Sequence, residues 1–170
     1  MSGLPALLVG LCAWAGAATD VDRTWHDEAR TRIEWEIPLR EGKPHGLVQQ
    51  FRADGSVEVA CDYRDGERHG VQRSFDSSGT IVIREIPYVD GLAEGIEIRR
   101  FPNGRVQDEI PWRAGQRHGL QKTYTRSGVL VWEREWQEGI LLKSRSWDEH
   151  GKPISETDHS AAAKNGEESP

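Results

Sequence analysis

Cysteine is scarce in this chain of 170 residues: Cys12 and Cys61 are its only two. If the first eighteen residues are removed, as argued below, Cys61 stands alone. One cysteine makes no internal disulfide, so the fold is held without staples and Cys61 reads as a small core residue. Basic charge is in deficit as well. The 22 Lys and Arg against 28 Asp and Glu give a net charge of -6. A protein that tracks a phosphate backbone needs a basic surface excess, so nucleic acid is not an expected partner. No apolar run is long enough for a membrane-spanning helix. Also missing are a Ser-His-Asp order, a phosphate-cradling glycine loop and a CxxC pair. The expectation is a protein that is not an enzyme and carries no cofactor and no metal.

What is present begins with Leu4 to Ala18, apolar and uncharged. Its length is that of a signal-peptide core, and Ala15, Gly16, Ala17 and Ala18 offer small residues for cleavage. Residues 1–18 are therefore read as a signal peptide, which places the protein in the periplasm, in the cell envelope or outside the cell. Residues 19–30 follow as an N-terminal extension. Residues 155–170 are polar, acidic and without periodicity, which is the composition of a disordered tail.

Between these ends the chain repeats itself every twenty-four or twenty-five residues. Each copy opens on Leu or an aromatic followed by glycine: Leu39 and Gly42, Tyr63 and Gly66, Tyr88 and Gly91, Trp112 and Gly115, Trp136 and Gly139. A second glycine follows in four copies, at Gly46, Gly70, Gly95 and Gly119. A third comes nine residues later, at Gly55, Gly79, Gly104 and Gly128. A fixed period of this length marks a stacked array of small units.

Each unit holds two stretches of period-two alternation bounded by glycine turns, the signal of strands. Val57, Val59, Cys61 and Tyr63 are expected on one face, as are Ile33, Trp35, Ile37 and Leu39. Leu47, Gln49 and Phe51 would join them from the second strand of the unit, with Phe51 opposite Val57, Phe75 opposite Ile81 and Tyr124 opposite Leu130. The third glycine permits the positive φ that short hairpin loops require. The repeat from Tyr63 to Tyr88 is one residue longer, which predicts a bulge near Arg84 or Glu85. Arg100 stands where another repeat has an aromatic, so it is expected to turn inward and pair with Asp108. Pro38, Pro87 and Pro111 precede three anchors and predict a lapse of pairing there.

These anchors resemble the MORN repeat (membrane occupation and recognition nexus), and more closely its bacterial variant form. The matching pieces are Gly42 to Gly46, Gly66 to Gly70 and Gly115 to Gly119, each with a histidine before its second glycine: His45, His69 and His118. The third copy carries Glu94 instead, and the fifth has lost its second glycine. The resemblance covers about residues 31 to 152. It implies an open, elongated antiparallel sheet of successive hairpins, and binding rather than catalysis. Bacterial variant members are often labelled antitoxin-like; others are linked to phospholipids or act as scaffolds for partner proteins.

The residues themselves give an all-β meander over residues 31–154 with about eleven short strands, roughly 50 Å long at the usual strand spacing. The three loop histidines sit on successive units about 9.5 Å apart, too far to converge on a zinc ion. They are expected to pack on the neighbouring loop or to bond its backbone. The acidic residues Glu34, Glu36, Glu58, Asp62, Glu109, Glu133 and Glu135 fall on the polar face and read as a solvated surface. The apolar face is the candidate partner site, because a long uncovered apolar strip marks one. Trp35, Trp112, Trp132 and Trp136 line it, and Arg73, Arg100, Asp108, Lys122 and Arg134 interrupt it. Lys122 opposite Trp132 would make a cation–π contact. Such a trough suits a protein segment first, then a polysaccharide or a lipid headgroup, and the sheet edges could self-associate. A membrane β-barrel is the distant alternative, since exported meanders can close.

Overall fold

The structure is a computed structural model that describes residues 20–160. The proposed signal peptide and residues 161–170 of the tail lie outside the described residues. The strands run in order as β1 (Asp20–Trp25), β2 (Ile33–Arg40), β3 (Lys43–Pro44), β4 (Gly46–Phe51), β5 (Val57–Arg64) and β6 (Glu67–Arg68). They continue as β7 (Gly70–Phe75), β8 (Val82–Val89), β9 (Leu92–Ala93), β10 (Gly95–Arg100) and β11 (Val106–Arg113). The last are β12 (Gln116–Arg117), β13 (Gly119–Tyr124), β14 (Leu130–Gln137), β15 (Ile140–Trp147) and β16 (Pro153–Asp158).

All sixteen belong to one antiparallel sheet, open at β1 and β16. The all-β meander of hairpins is as the alternation and glycines predict, and among the described residues the sheet stays open. The strands outnumber the expected eleven for two reasons. Four two-residue strands, β3, β6, β9 and β12, pair back onto the strand before them. The sheet also runs further at both ends. The N-terminal extension contributes β1, bonded along β2. Residues 155 to 158, placed in the tail, belong to β16 and pair with β15.

Each repeat turns the chain twice by different means. The first turn is a two-residue hairpin with positive φ at both positions: Glu41 and Gly42, Asp65 and Gly66, Asp90 and Gly91, Ala114 and Gly115, Glu138 and Gly139. That conformation matches the twist of the flanking strands. The second turn closes over Gly55, Gly104 and Gly128 with a three-residue loop, as in the bond from Gly55 N–H to the Arg52 carbonyl at 2.9 Å. In the longer repeat the loop gains Thr80, so that Asp76 N–H bonds the Ile81 carbonyl at 2.9 Å. The Asp76 carboxylate organises the enlarged loop by accepting from Ser78 Oγ at 2.7 Å and from Ile81 N–H at 3.1 Å. The extra residue therefore sits in the turn, not near Arg84 or Glu85. A turn accommodates it without disturbing a ladder. The partner at the turn shifts by one: Phe75 opposes Val82 rather than Ile81.

A bulge is present in that repeat, but it is common to all of them. The register slips at the start of the returning strand and leaves Glu34, Glu58, Ile83, Gln107, Val131 and Ile154 without partners. One unpaired residue moves the side chains beyond it to the other face. Phe51 opposes Val57 as expected, yet Gln50 opposes Val59 and Val48 opposes Cys61. Val57 thus lies with Leu47 and Phe51 on one face, and Val59, Cys61 and Tyr63 lie on the other.

Pairing lapses at the prolines as well. On the side of the following strand, Pro38, Pro87 and Pro111 accept from His45 N–H, Glu94 N–H and His118 N–H before β4, β10 and β13 resume, and Asp62 accepts from His69 N–H in the same way in a repeat without a proline. Proline has no N–H to leave unsatisfied where the ladder breaks.

The core is the face that carries Val59 and Cys61. Val48, Cys61, Ile86 and Ile110 are its buried apolar side chains. Glu97, Asp108, Gln121 and Ser146 are its buried polar ones. Strand register puts all eight on this one side, called here the inner face. The outer face keeps Leu47, Ile96 and Leu120 in water, at 42%, 56% and 46% exposure.

Candidate functional site

The bulges sort the candidate site residues onto two surfaces. Trp35, Asp108, Trp112, Trp132, Trp136 and Arg134 share the inner face. Arg73, Arg100 and Lys122 lie on the outer face, opposite Glu85, Val106 and Glu133. The single strip expected from alternation is corrected accordingly. Arg100 does not pair with Asp108. Its guanidinium lies 3.3 Å from Glu85 Oε2, and Arg73 lies 3.5 Å from Glu85 Oε1. Lys122 does not face Trp132; its cross-strand neighbours are Glu109 and Glu133. Asp108 instead accepts from Thr123 Oγ1 at 2.7 Å. The outer cations are thus matched to outer carboxylates, as on a solvated sheet face.

On the inner face the anchor aromatics form a row along one margin. Each pairs directly with the second glycine of a repeat: Tyr63 with Gly46, Tyr88 with Gly70, Trp112 with Gly95, Trp136 with Gly119. Glycine brings no side chain there, and the short strands supply arginines between the rings. Arg68 lies 5.2 Å from the centre of Tyr88 and donates to Tyr63 Oη at 3.3 Å. Arg117 sits between two indoles, 4.8 Å from Trp136 and 5.9 Å from Trp112. Arg134 stacks over Trp132 at 4.7 Å. Such cation–π contacts contribute about 0.5–1 kcal/mol each where exposed.

On the same face lies a polar line that the sequence reading does not single out. Glu97 is fully buried. Its Oε1 accepts from Arg84 Nε and from Arg99 Nε, each at 2.7 Å. Its Oε2 accepts from the Trp112 indole N–H at 3.0 Å. Burial pushes the Glu97 carboxyl up, but the two arginine bonds outweigh it and hold the group below its ordinary value. Gln121 repeats the device one unit on, with Oε1 accepting from Trp136 Nε1 at 2.9 Å. The spacing from Glu97 to Trp112 equals that from Gln121 to Trp136, and this recurrence is the signal in the sequence that could have exposed the line.

One loop histidine bonds the next repeat: His45 Nδ1 accepts from Asp65 N–H at 3.4 Å. His69 Nδ1 lies 3.4 Å from Asp90 Oδ1 but is buried without a hydrogen-bond partner among the described residues. Where histidine is replaced, Glu94 Oε2 accepts from Ala114 N–H at 2.7 Å. Cys61 is buried, and burial raises its thiol to about 11, so it stays protonated and unreactive at neutral pH. Two shallow surface depressions lie apart from Glu97. One is bounded by His118, Leu120, Trp136 and Arg145, the other by Thr31, Ile33, Phe51 and Asp54.

No protein-family model matches the chain, and no curated protein matches it.

Proposed function

We propose that this is an exported, non-enzymatic repeat protein that binds a protein partner on its inner sheet face. The observation that carries this reading is the row of Tyr63, Tyr88, Trp112 and Trp136 interleaved with Arg68 and Arg117. Among the described residues no second layer covers it, since every strand belongs to the one sheet. Aromatics and arginine are the residue types that dominate binding energy at protein interfaces. The resemblance to MORN repeats agrees with a scaffold role, and the apolar stretch from Leu4 to Ala18 supports export. Affinity capture tests the reading, comparing the full chain with Trp112→Ala and Trp132→Ala. Trp132 is 37% exposed, so its removal leaves the fold largely undisturbed. A specific protein partner should be retained by wild type and lost from both variants. Retention of every specific partner by both would exclude the inner face as the binding surface.

A further inference from the structure

Arg84 and Arg99 are direct cross-strand partners on the inner face, and both spend Nε on the same buried oxygen of Glu97. Their η nitrogens make no hydrogen bond among the described residues, and the two side chains remain 39% and 40% exposed. One carboxylate therefore orients two guanidiniums side by side while neutralising the charge of one.

We propose that the Arg84 and Arg99 pair receives a carboxylate from an acidic polypeptide segment lying across the strands of the inner face. This rests on the protein-binding reading above and names its chemistry. Three arguments support it. The first is charge. From β5 to β14 the inner face carries Arg68, Arg84, Arg99, Arg117 and Arg134 against Glu97 and Asp108, five positive to two negative, on a chain of net charge -6. The complement of such a surface is acidic. The second is shape: guanidinium forks match the planar carboxylate, and charge-assisted bonds of this kind are among the strong ones. The third is spacing. Successive repeats are two strands apart, about 9.5 Å, and one three-residue turn of a polyproline II segment rises about 9.3 Å and brings its side chains back to the same side. A partner crossing the strands would therefore set one side chain on each repeat. A carboxylate brings one negative charge beside Glu97 and Asp108, whereas a phosphate monoester brings close to two, so the singly charged group fits better.

The test follows the arginine Nε–H and tryptophan indole N–H resonances of the full chain during titration with poly-L-glutamate, inorganic phosphate and phosphatidylserine vesicles. Poly-L-glutamate should shift the Arg84, Arg99 and Trp112 signals. Its affinity should fall roughly tenfold in Arg84→Met with Glu97→Gln and in Arg99→Met with Glu97→Gln. These double variants leave no buried carboxylate short of a partner, so they test recognition rather than folding. Lys122→Met, on the outer face, should leave the affinity unchanged. The proposal is overturned if poly-L-glutamate shifts none of the three signals. It is equally overturned if only phosphate or vesicles do so, or if both double variants bind like wild type. Partner capture separates this failure from that of the broader reading. A partner lost by Trp132→Ala but kept by both double variants removes the carboxylate centre alone. A partner kept by every inner-face variant removes both.

Discussion

Arg84 and Glu97 meet across neighbouring strands with Nε 2.7 Å from Oε1, and the carboxylate has no exposure to water. Arg99 bonds the same oxygen at 2.7 Å. Removing the carboxylate would leave both arginines without their partner and Trp112 Nε1 without its acceptor. Arg84 and Arg99 are 39% and 40% exposed and can turn to water, so the loss falls below that of a fully buried ion pair, at about 2–3 kcal/mol. Glu97→Ala should lower stability by that amount in urea titration, and Trp112→Phe, which loses one hydrogen bond, by about 1 kcal/mol. A cost for Glu97→Ala no larger than that of Trp112→Phe would show that the network is not structural.

The period of the repeat and its glycines made the sheet legible, including both turn positions and the lapse at the prolines. The choice of face was not legible beyond the bulges. Their unpaired positions hold Glu34, Glu58, Ile83, Gln107, Val131 and Ile154, a set with no common chemistry. Apolar residues stand on both sides of each bulge, so Val57, Val59 and Cys61 look continuous although one of them faces the other way. That inversion joined Arg73, Arg100 and Lys122 to the tryptophans. The aromatic half of the candidate site survived because Trp35, Trp112, Trp132 and Trp136 all lie beyond the bulge of their own strand.

Two glycines with the same backbone demand should respond differently to substitution. Gly79 and Gly104 both sit at positive φ, 71° and 81°. An added Cβ at Gly104 meets nothing within 4 Å, while at Gly79 it would lie 2.8 Å from Ser56 Cβ and 3.1 Å from the Val57 nitrogen. Gly104→Ala should cost about 1–2 kcal/mol, the penalty of the left-handed conformation alone. Gly79→Ala should cost more, because β5 must shift to admit the methyl group. Thermal melts of the two variants decide this, and equal costs would mean that the loop moves freely off β5.

Ala114 is the least suited residue at the first position of its turn. It holds φ at 48°, where the other repeats place Glu41, Asp65, Asp90 and Glu138. Asparagine adopts this conformation several times more readily than most residues. Ala114→Asn should therefore raise stability by about 0.5–1 kcal/mol, and it keeps the N–H that Glu94 accepts. An unchanged or lower midpoint in chemical denaturation would show that the alanine is not strained.

Asp27 closes the loop between β1 and β2 and sets the acid limit of that hairpin. Its carboxylate accepts from Thr31 N–H at 2.8 Å, Thr31 Oγ1 at 2.7 Å and Arg32 Nε at 2.9 Å. The Thr31 backbone bond, followed by the Arg32 and Thr31 side chains, lowers its pKa from 3.8 to about 2. A carboxyl whose folded value is depressed contributes stability above its unfolded value and loses it as pH falls toward the folded one. The contribution is therefore complete above about pH 5 and declines between about pH 4 and 2. Amide hydrogen exchange in β1 should accelerate relative to β10 across that interval. In Asp27→Asn the difference between the two strands should no longer vary with pH there. If β1 and β10 lost protection together in wild type, acid would be acting on the whole sheet and not on this loop.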